Sequence, residues 1–147
     1  MAYEAVTTTE YRTKTGERRG TRALLDVLLF LFGALGVTDL GIYNRRKVRG
    51  GSSWSIHAVG RAFDLGIPNK ALGDRIFLLL IRAAPKLGLC EIIWWGQRWT
   101  AENGVQPYYG VDNHHTHIHG AQTQEAADNP SKRDDLTKWY ATAILNG

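Results

Sequence analysis

The stretch "SSWSIHAVGRAFDLGI" (residues 52–67) decides the fold. Its first part is small and polar and reads as a loop. Its second part, "RAFDLGI" (61–67), alternates in polarity, is rich in apolar residues, and reads as a strand that carries Asp64. The same stretch sets His57 and Asp64 seven residues apart across Gly60. A second window, "VDNHHTHIHG" (111–120), holds four of the chain's five histidines, and the fifth is His57. Within it "THIHG" reads as a short strand. Alternate side chains of a strand share a face, so His117 and His119 point one way and Ile118 points the other, towards a core.

Working outward, "ALLDVLLFLFGALGV" (23–37) predicts an amphipathic helix from about Arg22 to Ala34, capped by Thr21 and ended by Gly33 and Gly36. "TDLGIYNRR" (38–46) predicts a strand and "GGSSW" (50–54) a loop. Pro68 and Asn69 open a helix over "KALGDRIFLLLIRAAPKLG" (70–88), whose apolar residues keep helical spacing. "CEIIWW" (90–95) predicts a strand, "WGQRWTAENGVQPYYG" (95–110) a long aromatic loop, and "SKRDDLTKWYATAILN" (131–146) a closing helix. Residues 1–20 read as a polar, partly extended N-terminal segment and residues 21–147 as the domain. This order predicts an α+β fold, a small and mostly antiparallel sheet flanked by helices.

The 147 residues suit one domain with a real core, and 44% apolar with 22% charged residues is ordinary for a globular chain. The single cysteine, Cys90, excludes a disulfide framework and a cysteine-rich zinc module, and its apolar setting predicts a buried, unreactive thiol. A net charge of +4 favours a polyanionic partner, nucleic acid or an anionic cell wall, although the Lys and Arg are scattered. The N-terminus lacks the apolar region of a secretory signal. The longest apolar run, 15 residues including Asp26, falls short of the about 20 that a membrane span needs. Synthesis in the cytoplasm and no membrane insertion are therefore expected.

If the two windows lie on neighbouring strands, His57, Asp64 and the "HIH" face converge. Two His and one Asp suit Zn²⁺ with a fourth position open to water, the arrangement hydrolysis needs. "SIHAVGRAFD" (55–64) then matches S-x-H-x-x-G-x-A-x-D, and "HIH" (117–119) matches H-x-H. In both motifs the chain resembles the LAS metallopeptidases, a group with D-alanyl-D-alanine carboxypeptidases, the penicillin-insensitive murein endopeptidase and phage endolysin peptidases.

The resemblance implies a Hedgehog/DD-peptidase-like fold and one Zn²⁺ per chain on His57, Asp64 and His119. It further implies that Ser55 helps orient the first motif, with Gly60 and Ala62 small for close packing. "YNRR" resembles a Y-N-x-R element of some relatives, which makes Arg46 a substrate-binding candidate. Many relatives place an acidic base three residues before the last ligand; here that residue is Thr116. The base is then His117 or His114, since a neutral imidazole accepts a proton near pH 7, and His115 faces away. Trp99, Tyr108 and Tyr109 are candidates to wall a substrate groove, with a Tyr hydroxyl donating to an oxyanion.

The function implied is a monomeric peptidoglycan hydrolase, D-Ala–diaminopimelate endopeptidase first, made in the host cytoplasm as a phage endolysin and released through holin lesions. D,D-carboxypeptidase and L-Ala–D-Glu specificities remain alternatives. So do a catalytically weak zinc module that holds wall peptide and, least favoured by the His-Asp-His spacing, a nucleic-acid binder. Wall peptide, and not nucleic acid, is therefore the expected partner.

Overall fold

The computed structural model describes the backbone of residues 2–146 and the side chains through Lys138 together with Tyr140. Its helices are α1 (Thr8–Thr13), α2 (Arg19–Phe32), α3 (Lys70–Leu87), α4 (Gln124–Ala127) and α5 (Lys132–Asn146). Its strands are β1 (Thr38–Asp39), β2 (Ala62–Gly66), β3 (Leu89–Trp94), β4 (Gln97–Thr100), β5 (Gly104–Pro107) and β6 (His117–Gln122). They form one sheet in the order β1-β2-β6-β3-β4-β5, antiparallel throughout. The α+β expectation holds. No helix of the described residues is long and apolar enough to cross a membrane.

One face of the sheet packs on α2 and α3. The core joins Leu24, Leu25, Leu28 and Phe32 of α2 to Ile76, Leu80 and Leu87 of α3. Phe63, Leu65, Leu89, Ile92, Trp94 and Ile118 complete it from the strands. Each such side chain contributes about 1.5–3 kcal/mol when fully buried. Alternation then sends Asp64, His117 and His119 to the opposite face. Strand β3 breaks the period. Its core residues Leu89 and Ile92 are three apart, an odd spacing, and its register against β6 shifts between Leu89 and Glu91. This bulge at Cys90 resets the alternation, so Glu91 leaves the core side and faces the same way as His119. Cys90 is fully buried and free, and burial raises its thiol pKa.

Several local expectations are corrected. α2 begins at Arg19, not Arg22, because Thr21 does not cap it: its hydroxyl lies inside and donates to Gln122 Oε1 at 2.8 Å. The strand expected over 38–46 shrinks to Thr38–Asp39, after which positive-φ Gly41 turns the chain. The aromatic stretch 95–110 is not a long loop but two hairpins. Trp95 and Gly96 (φ 49° and 70°) form the two-residue link between β3 and β4, and Gly104 (φ 66°) closes the next.

The N-terminal segment is also no separate tail. It contains α1, and buried Glu10 accepts from Arg18 Nη1 (2.9 Å) and fully buried Arg61 Nε (2.7 Å). Gly60, at φ 74°, sits so close that a Cβ there would lie 1.9 Å from Gly16 O. The segment is stitched onto the turn that carries His57.

Candidate metal centre and its cleft

His57 lies on a 3-10 turn (Ile56–Val59) rather than in the strand. Ser55 caps this turn by accepting from His57 N at 3.3 Å. Gly60 ends it in the left-handed conformation, and β2 follows with Asp64. Asp64 is paired directly with His119 across the β2–β6 ladder, so strand register alone brings two of the three groups together. The third arrives because His57 Nδ1 is 2.7 Å from Ile42 O, which anchors the ring.

The protons of the two imidazoles follow from their outer partners. Ile42 O has only lone pairs, so His57 Nδ1 donates to it and Nε2 is left bare. His119 Nε2 is 2.8 Å from Glu91 Oε1 and donates to it, which leaves Nδ1 bare. The two bare nitrogens are 3.2 Å apart. Asp64 Oδ1 lies 3.2 Å from His57 Nε2 and 3.7 Å from His119 Nδ1, yet it is buried and forms no hydrogen bond. With both rings neutral, three acceptor atoms face one another, an arrangement that a cation in their midst, a proton or a metal ion, relieves.

The spacing suits zinc. Bonds of about 2.0–2.2 Å at tetrahedral angles separate ligand atoms by about 3.3–3.6 Å, and the three edges here are 3.2, 3.2 and 3.7 Å. The cluster also attracts positive charge by itself. Burial opposes a charge on His119, but Asp64 and Glu91 outweigh it and push its pKa up to about 9. Burial likewise opposes ionisation of Asp64, and the two imidazoles hold it well below the usual carboxylate range. Glu91, also buried, is held down to about 2, by His119 first and then by Arg98. Its second oxygen accepts from Arg98 Nε at 2.6 Å.

This cradle opens into a cleft of about 330 Å³. His117, His114, Arg46, Tyr108 and Ser55 all line it, as do His57, Asp64 and His119. His117 Nε2 is 3.9 Å from Asp64 Oδ1, and Thr116 Oγ1 is 3.1 Å from its Nδ1. His114 takes a left-handed backbone (φ 58°) and its Nδ1 is 2.7 Å from Asp112 O. Burial lowers its pKa to about 4, helped by repulsion from His119 and His117. His115 stacks on Trp95, centroids 4.0 Å apart, and does not line the cleft.

Two proposed groove residues are elsewhere. Trp99 pairs with Ile92 and therefore shares its core-facing side, where it packs against the main cluster. Tyr109 is 90% exposed and outside the cleft. In their place the cleft has Tyr3, Trp54, Arg49 and Arg98.

Simple strand alternation does not bring Glu91 to the site; the bulge in β3 does. The signal for Glu91 is a lone charge inside the apolar run "LCEIIW", since a buried charge needs a partner. Alternation does not point to Asp112, beside the histidine run, either.

A family model described as "VldE, C-terminal domain" matches residues 14–119, which contain every group of the cradle. No curated protein and no solved structure matches the chain.

Proposed function

The chain belongs to the VldE C-terminal-domain family, and we propose that it is a zinc-dependent peptidase acting on the peptide part of bacterial peptidoglycan. The observation that carries this reading is the convergence of three metal-ligand atoms, from His57, Asp64 and His119, within 3.2 to 3.7 Å of one another on the wall of a cleft. Bound there, zinc would acidify a water and polarise the scissile carbonyl. The two sequence motifs supply the choice of peptide as substrate, with D-Ala–diaminopimelate the bond to test first.

The chain's own groups fill the remaining roles. His117 Nε2 faces the cleft beside Asp64 and accepts the proton of the attacking water. Burial first, and the Glu91 and Asp112 charges after it, raise the pKa of Tyr108, so its hydroxyl keeps a proton to donate to the developing oxyanion. Arg46 Nε is buried without a hydrogen-bond partner, while its Nη1 donates to Lys47 O. In this reading that guanidinium takes a carboxylate of the stem peptide. A monomer made in the host cytoplasm and released to the wall, as an endolysin is, suits this chemistry and the net positive charge.

A non-catalytic zinc module that holds wall peptide has one observation in its favour. Both oxygens of Glu91 are engaged, by His119 and Arg98, and Thr116 stands at the usual acidic position. One experiment separates the readings: metal content by mass spectrometry, alongside turnover of purified peptidoglycan with and without a chelator. Zinc at one or more per chain with chelator-sensitive release of peptide fragments is expected. Zinc without turnover favours the module, and absence of zinc from the purified, zinc-supplemented protein sinks both.

A further inference from the structure

A second group of metal-ligand atoms lies in the same cleft, beside the first. Asp112, His114 and His117 each offer one ligand atom, and these atoms lie within 4.8 Å of one another. Their orientation is built. His114 Nδ1 donates to Asp112 O (2.7 Å), which leaves its Nε2 bare. Asp112 Oδ1 accepts from His114 N (2.9 Å), which holds the carboxylate in place. Its other oxygen, Oδ2, lies 3.7 Å from His117 Nε2. Thr116 Oγ1, 3.1 Å from His117 Nδ1, accepts that ring's proton in the tautomer that leaves Nε2 bare. His114 adopts a left-handed backbone, uncommon for a residue with a side chain, and this brings its ring to 4.5 Å from that of His117.

We propose that Asp112, His114 and His117 form a second, weaker site for a divalent transition-metal ion, next to the one formed by His57, Asp64 and His119. Two imidazoles and a carboxylate are the donor set that zinc takes. The two sites are contiguous, since His117 Nε2 of the second lies 3.9 Å from Asp64 Oδ1 of the first. The second is more open to water, its Asp112 side chain 42% exposed where Asp64 is 23%, and so it fills after the first. It has a functional consequence that rests on the peptidase reading. An ion on His117 Nε2 occupies the lone pair that accepts the proton, so the second equivalent of metal inhibits what the first activates.

The test is equilibrium dialysis of metal-free protein against buffered zinc, with bound metal counted by mass spectrometry. Wild type should bind two ions in two separate steps. Asp112→Asn keeps an oxygen that can accept from His114 N, yet replaces the carboxylate ligand with a neutral amide. It should bind the first ion normally and the second at least about tenfold more weakly. If Asp112→Asn loses both ions, His114→Asn, which tolerates the left-handed backbone, replaces it as the test variant. One ion on wild type across the whole titration overturns the second site and leaves the first standing. No ion on wild type overturns both. Two ions retained by Asp112→Asn, or a pair of variants of which neither separates the second ion from the first, also overturns the proposal. Peptide turnover, followed in the same titration, should rise to one equivalent and fall towards two, with the fall absent in Asp112→Asn.

Discussion

β2 and β3 flank β6 on either side, and each presents a carboxylate to His119. From β2, Asp64 faces Nδ1 and keeps Oδ1 free of any hydrogen bond. From β3, Glu91 takes the proton of Nε2 and gives its remaining oxygen to Arg98. The same residue class on two neighbouring strands thus does two different things. The difference lies in what else touches the oxygens. A carboxylate left bare inside a protein costs several kcal/mol unless a charge relieves it, which is why Asp64 is proposed as a ligand. One saturated by a ring N–H and a guanidinium is stable as it stands, so Glu91 positions the ring.

The largest effect that could break this contrast is at Asp64. Asp64→Ala should abolish zinc binding at the first site and reduce peptide turnover to background, because two imidazoles alone do not complete the cradle. Metal content and turnover of purified peptidoglycan measure it. A variant that retains tight zinc and normal turnover would remove the ligand assignment. Loss of metal should also lower the melting temperature in zinc-containing buffer, since binding to the folded state is linked to stability.

Next comes His117, which shares the ligand face of β6 without belonging to the first site. His117→Ala should keep that site's zinc and lose about 10²- to 10⁴-fold in kcat. Thr116→Glu, at the position where the LAS peptidases that the two motifs resemble carry an acidic base, should partly restore turnover in that background. A zinc-loaded His117→Ala with near-normal kcat would transfer the role to His114, which lines the same cleft.

The two strands also differ in how far the sequence disclosed them. β2 alternates without interruption, so "AFDLG" announces Asp64 as opposite to Phe63 and Leu65. "HIH" does the same in β6. In β3 the bulge at Cys90 breaks the period, and a two-residue count from Leu89 sends Glu91 into the core. The hairpins beyond it hid for a related reason. A tryptophan at a positive-φ turn position, Trp95, is not the Asn or Gly that marks such a turn in a sequence, and four-residue strands give alternation too little length to be seen. Trp99 followed from the same hidden register: once it pairs with Ile92, it belongs to the core. What local pattern could specify was legible, and what depended on register shifts or on long-range partners was not. The burial of Glu10 against Arg61, 51 residues away, is of the second kind.

The smallest of these effects is the one that tests the positioning role of Glu91. Glu91→Ala removes the acceptor of His119 Nε2–H, so the ring loses both its orientation and its preference for the tautomer with Nδ1 bare. Groups that hold a metal-ligating histidine in this way typically contribute 10- to 100-fold to metal affinity, and a weakening of the first site's zinc affinity in that range is expected. Glu91→Gln retains an amide oxygen for the same N–H and should recover most of the affinity. A neutral oxygen supports the imidazole less strongly, so recovery should stop short of wild type. Arg98→Ala separates orientation from burial. Arg98 is a third exposed, its pair with Glu91 is partly screened, and its removal should change zinc affinity much less than Glu91→Ala does. Competition with a chromophoric chelator ranks all three variants. The expected order from weakest to tightest is Glu91→Ala, Glu91→Gln, Arg98→Ala, wild type. Equal affinity for Glu91→Ala and wild type would show that His119 is held without β3, and the two carboxylates beside it would then differ only in burial.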